Sequence, residues 1–134
     1  MHFLIKTINS YSMWNVVKEK TNARYLTDEI IKDPLDALVC DASFISLKKV
    51  LPSGLGLLKS NGWLVALIKP QFEVGKGLVG KGGVVRDPKL HESVINDITK
   101  WIELETNMNI LGVIESPILG PSGNKEFLIV AKKI

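Results

Sequence analysis

Three charged residues sit where apolar segments begin or end. Asp41 closes DALVCD, Lys69 closes WLVALIK, and Glu126 opens EFLIVAK. In open α/β sheets the ligand crevice lies outside the carboxyl ends of the parallel strands, so Asp41 and Lys69 would face it. An amine there can take a proton from a hydroxyl group when it is neutral. Burial favours that neutral form, whereas an adjacent carboxylate favours the charged one. The alternative is structural: Lys69 snorkels from a strand end into water, Asp41 caps the following helix, and Glu126 is a strand-edge charge. Residue types and spacing leave both readings open.

The other constellations are weaker. The stretch QFEVGKGLVGKGGVVRD carries five glycines and three basic residues without periodicity, so it reads as a mobile loop. It lacks the G-K-[ST] ending of a phosphate-binding P-loop and does not run straight into a helix. His2 and His91 stand alone, which argues against a metal site, and His91 reads as a helix surface residue. Ser43, Ser46 and Ser116 lack the G-x-S-x-G context of a hydrolase nucleophile. Trp14, Trp63 and Trp101 read as core residues rather than base-stacking platforms.

The elements that must position these residues form an α/β pattern. DALVCD (36–41) and WLVALIK (63–69) are short apolar runs of the kind buried on both faces of a parallel sheet. Between them Phe44, Leu47, Leu51, Leu55 and Leu58 recur at helical spacing, with Pro52, Gly54 and Gly56 weakening the helix and Gly62 as its stop. Asp87 and Pro88 mark a helix start, followed by the stripe Leu90, Val94, Ile98, Trp101 and Ile102. ILGVIE (110–115) and EFLIVAK (126–132) flank the turn-rich SPILGPSGNK, which predicts an antiparallel terminal pair. The first 35 residues are less informative: a weak helix at HFLIKTI, a strand near WNVVKE and a short helix near TDEIIK are expected.

A chain of 134 residues, 46% hydrophobic and 23% charged, fits one globular domain spanning 1–134 and excludes disordered and collagen-like classes. A lone cysteine, Cys40, allows no intrachain disulfide and favours a reducing compartment. No signal peptide or membrane-spanning run is apparent, so the expected location is cytoplasmic with no membrane partner. A net charge of +3 mildly favours an anionic partner.

Five stretches carry a family resemblance: KTNARYL (20–26), CDASFISL (40–47), IKPQFEVGKG (68–77), GKGGVVRDPKLHE (80–92) and SPILGPSGNKEFL (116–128). In one collinear series they resemble the hemolysin-A-type, or TlyA-like, ribosomal RNA methyltransferases of the FtsJ-type superfamily. The resemblance implies an S-adenosylmethionine-dependent domain that methylates ribose 2′-hydroxyls of ribosomal RNA through a Lys, Asp, Lys, Glu tetrad. The D-x-S-F-I-S aspartate falls on Asp41, the K-P-Q-F-E lysine on Lys69, and the N-[KR]-E-F-L glutamate on Glu126. On this basis Lys69 would take the hydroxyl proton while Asp41 and Glu126 orient lysine and substrate. Asn22 and Ala23, together with Asp41, would lie near the cofactor. Lys76, Lys81 and Arg86 would contact RNA phosphates.

The same resemblance implies the carboxy-terminal part of a Rossmann-like class I sheet, mostly parallel with an antiparallel terminal strand, in the order 3-2-1-4-5-7-6. Strands 1 and 2, the glycine-rich cofactor loop and the first tetrad lysine have no counterpart in the chain. The expectation is an amino-terminally truncated domain with DALVCD as an exposed apolar edge. Such a domain would be half of an enzyme completed by a separately encoded amino-terminal half, an inactive remnant, or a non-enzymatic RNA-binding or hemolysin-like module.

Overall fold

A computed structural model describes the backbone of Phe3–Ile8 and residues 34–134. Its elements are β1 (Phe3–Ile8), β2 (Leu35–Ala42), α1 (Leu47–Leu55), β3 (Leu58–Ile68), α2 (Pro70–Glu73), α3 (Pro88–Glu105), β4 (Met108–Glu115) and β5 (Phe127–Lys133). Among the described residues they make one five-stranded sheet in the order β1-β2-β3-β5-β4. β2 and β3 pair in parallel, and β5 inserts antiparallel between β3 and β4. Strands β2, β3 and β4 therefore share a direction. The series β2-β3-β5-β4 reproduces the 4-5-7-6 portion expected from the family resemblance.

The core lies on one side of the sheet. Leu38, Cys40, Leu64, Ala66, Ile68, Ile129 and Ala131, alternating along their strands, are at most 1% exposed beneath Val50 and Leu51 of α1 and Ile98 and Ile102 of α3. The residues between them, such as Val39, Val65, Leu67 and Val130, are only partly buried. The expected two-sided burial is thus complete on the helical face alone. A Lys48–Asp97 ion pair of 2.7 Å joins the two helices at their surface.

Several local expectations are corrected. HFLIKTI contains β1 rather than a helix: its backbone pairs antiparallel with β2, from Phe3↔Ala42 to Ile8↔Ala37. The open hydrogen-bonding side of β2 outweighs the weak local preference of so short a segment, and the predicted apolar edge at DALVCD is covered. Phe44 lies outside α1 at φ 63° and 70% exposed, while Leu58 starts β3. The helix stops at Gly56, and Gly62 lies inside β3. Trp63 is 46% exposed beneath the Lys132 ammonium, 5.5 Å from the ring centroid, so it is no core residue. The expected elements near WNVVKE and TDEIIK lie outside the described residues.

Candidate active site

Strand register brings Asp41, Lys69 and Glu126 to one end of the sheet. Cys40 pairs with Ala66 in the parallel β2–β3 ladder, so Asp41 and Lys69 leave adjacent strands at the same end. Ile68 pairs with Phe127 across the antiparallel β3–β5 ladder, so Glu126 enters β5 where Lys69 leaves β3. A residue before an antiparallel strand and one after its neighbour are thereby neighbours in space, although 57 positions separate their numbers (126 − 69).

Lys69 is 7% exposed, and its Nζ lies 2.5 Å from Asp41 Oδ1 and donates to Ser43 Oγ at 3.2 Å. The Asp41 side chain is 47% exposed, so the pair has a buried cation and a half-open carboxylate. Lys69 does not snorkel into solvent. It is the residue preceding Pro70, which opens the single turn of α2, and proline there confines the lysine backbone to its extended conformation, φ −115°.

Glu126 is buried and accepts a hydrogen bond from Gln71 Nε2 at 3.2 Å. Among the described residues no ion pair joins it to Lys69; α2 carries Gln71 two residues after the lysine and so links the two indirectly. Gly120 packs directly on the Glu126 side chain: a Cβ there would overlap its carboxylate and push it from its place. The other amide atom of the glutamine, Oε1, is buried without a hydrogen-bond partner.

A second carboxylate fastens the two motifs together. Glu73, at the end of α2, accepts from Ser46 Oγ at 2.7 Å and from the Leu47 amide at 2.8 Å. These groups open α1, where free amides favour an anion. Burial nevertheless pushes the Glu73 carboxyl above its ordinary range, and the two hydrogen bonds oppose that shift. Beside the site, Cys40 is buried and its thiol is pushed up to about 12 by burial, then by Asp41, so it is an inert core residue.

The predicted RNA-facing residues Lys76, Lys81 and Arg86 are exposed, on a segment that is folded rather than featureless. It holds two short 3-10 turns, Lys76–Leu78 and Lys81–Gly83, the second closed by a Gly80–Val84 bridge. Gly82 and Gly83 adopt φ 76° and 77°, which favour glycine. Arg86 Nη1 donates to the Lys81 carbonyl at 3.1 Å. His91 is buried rather than on the helix surface, with Nε2 2.7 Å from the Val85 carbonyl. Phe44 packs on Phe72 at 4.8 Å between ring centroids and stays largely exposed. Asn22 and Ala23 lie outside the described residues. Among the described residues no cluster of His, Cys, Asp and Glu could hold a metal ion.

Gln71, Glu73 and Asn124 were not singled out by residue type, and Ser43 was weighed only as a hydrolase nucleophile, yet each lies inside one of the motifs that carry the resemblance. The FtsJ-like methyltransferase family matches residues 4–133. The chain belongs to that family. It is 47% identical over 114 residues to the 16S/23S rRNA (cytidine-2′-O)-methyltransferase TlyA of Mycobacterium tuberculosis, covering 85% of this chain and 42% of the relative. It is 40% identical over 115 residues to Hemolysin A of Brachyspira hyodysenteriae, covering 82% of this chain and 46% of that one. A solved Lactococcus lactis structure, provisionally named a hemolysin, superposes with a TM-score of 0.83 at 38% identity, covering 89% of this chain and 57% of the other. The chain therefore spans less than half the length of these curated relatives. No helix among the described residues is long and apolar enough to cross a membrane.

Proposed function

We propose that this FtsJ-like chain supplies the proton-transfer side of an S-adenosylmethionine-dependent 2′-O-methyltransferase acting on ribosomal RNA. The observation that carries this reading is the buried Lys69 amine, held by Asp41 and Ser43 at the carboxyl ends of parallel strands. Asp41, Lys69 and Glu126 match three of the four tetrad positions that the resemblance implies, and M. tuberculosis TlyA, 47% identical, is named for methylation of a cytidine 2′-hydroxyl.

The donor set fits the cofactor in charge. S-adenosylmethionine supplies an electrophilic methyl group when bound, and Asp41, half-exposed, offers a carboxylate to its cationic part. Asn22 and Ala23 are the further proposed contacts. The chain's own residues perform the rest. Asp41 and Ser43 fix the Lys69 nitrogen, which accepts the proton of the ribose 2′-hydroxyl once it is neutral. Glu126, oriented by Gln71, faces the substrate from the β5 side. Lys76, Lys81 and Arg86 hold phosphates, which positions the RNA without reading its sequence. The open ring of Phe44 offers a stacking surface to a base.

A separately encoded amino-terminal half, with the cofactor loop and the first tetrad lysine, is the proposed partner, and the cytoplasm the proposed location. The test is transfer of labelled methyl groups to ribosomal subunits by the chain mixed with the recombinant amino-terminal half of a relative. Lys69→Ala is expected to lower the rate by about 10²–10⁴-fold, the usual worth of a positioned base. Transfer that is indifferent to Lys69→Ala sinks the mechanism.

A further inference from the structure

We propose that Asn124 is a positioning residue that couples the basic loop 75–86 to the turn carrying Glu126, so that the two respond as one unit when RNA engages the loop. The coupling to RNA rests on the functional reading above; the mechanical coupling does not.

The side chain of Asn124 is 3% exposed and is spent entirely on backbone groups. Its Oδ1 accepts from the Val85 amide at 3.0 Å, and its Nδ2 donates to the Gly83 carbonyl at 2.9 Å and the Pro121 carbonyl at 3.1 Å. Two of these partners belong to the loop, 39 and 41 positions away, and the third to its own turn. The Asn124 carbonyl closes that turn by accepting from the Gly120 amide at 2.8 Å, and Gly120 packs directly on Glu126. On the loop side, Val85 is gripped twice: its amide by Asn124, its carbonyl by His91. Since a carbonyl only accepts, the His91 Nε2 carries the hydrogen. One amide side chain thus fastens the ends of two segments, one bearing Lys76, Lys81 and Arg86, the other bearing Glu126. Displacing the loop from this position leaves buried polar groups without partners, which is costly enough to keep the segments together.

The experiment has two parts, both on the full chain. In wild type, native-state hydrogen exchange under rising denaturant should show the amides of Val85 and Gly120 opening together, with a common opening free energy below that of global unfolding. Separate openings of the two amides overturn the proposal. In Asn124→Ala, tryptic cleavage after Lys76 and Lys81 should accelerate about tenfold, as a local opening made easier by the lost bonds. Cleavage after Lys100 in α3, the control for global unfolding, should hardly change. An unchanged rate at Lys76 and Lys81, or an equal rise at Lys100, overturns it. If Asn124→Ala does not fold, the wild-type exchange result decides alone. Adding a short cytidine-rich single-stranded RNA to the wild-type chain should slow exchange in both segments; slowing in the loop alone, or in neither segment, overturns the coupling to RNA and leaves the mechanical result standing, while the functional reading is decided separately by the methyl-transfer test.

Discussion

At the scale of single residues, the site separates side chains whose meaning is local from those whose meaning is distant. Asp41, Lys69 and Glu126 were legible because a charge abutting an apolar strand is conspicuous in sequence. Gln71 and Asn124 were not, since an amide in a loop becomes informative only when its partner, 55 and 39 positions away, is known. Glu73 is the case with a consequence in pH. Its carboxyl is raised above the usual glutamate value in the folded chain, burial outweighing the Ser46 and Leu47 hydrogen bonds. The folded state therefore holds this proton more tightly than the unfolded state. The stabilisation is fully present below the unfolded carboxyl value and is lost as pH rises through the folded one. Glu73→Gln mimics the protonated acid at every pH. Its melting temperature, relative to wild type, should rise between pH 4 and pH 7, as thermal unfolding at the two values will show. A difference that falls over that range would mean that the hydrogen bonds, not burial, dominate.

At the scale of elements, legibility followed the strength of the local signal. α3 is announced by Asp87, whose carboxylate accepts from the Lys89 amide at 2.9 Å, and by Pro88 at the first helical position. The antiparallel pairing of β4 and β5 follows from a connection too rich in proline and glycine to hold a crossover helix. β1 was illegible because six residues carry too little periodicity, and its conformation is decided by a partner strand more than 28 positions away, as in Ile8↔Ala37. Between these cases lies α1, whose internal Pro52 and Gly54 look like defects. Gly54 is there for packing: an added Cβ would stand 2.8 Å from Cδ2 of the fully buried Leu38 in β2. Gly54→Ala gains about 1 kcal/mol of helix propensity but meets an overpacking cost of about 1–3 kcal/mol, so a net loss is expected. Leu38→Val removes the colliding carbon. Denaturant titration of both single variants and the double variant should give a favourable coupling of about 1 kcal/mol. Strict additivity would show that the α1–β2 contact has room to yield.

At the scale of the whole molecule, the described residues bring together the groups proposed to move a proton, and hold few of those proposed to enclose a cofactor. Ligand sites commonly bury roughly 70–90% of a small molecule's surface. Here the one described contact proposed for S-adenosylmethionine is the Asp41 carboxylate, whose side chain is 47% exposed and already engaged with Lys69. A half-exposed charge pair is worth about 0–1 kcal/mol, far short of the roughly 8 kcal/mol that micromolar affinity requires. Calorimetric titration of S-adenosylmethionine into the chain alone should therefore give no resolvable heat, and titration into a mixture with a relative's amino-terminal half should give binding in the micromolar range. Tight binding by the chain alone would show that its own residues complete the cofactor site, and the two-part reading would fall. Absence of binding in both cases would leave the Lys69–Asp41 pair without an electrophile to serve, and the methyltransferase reading itself would fall.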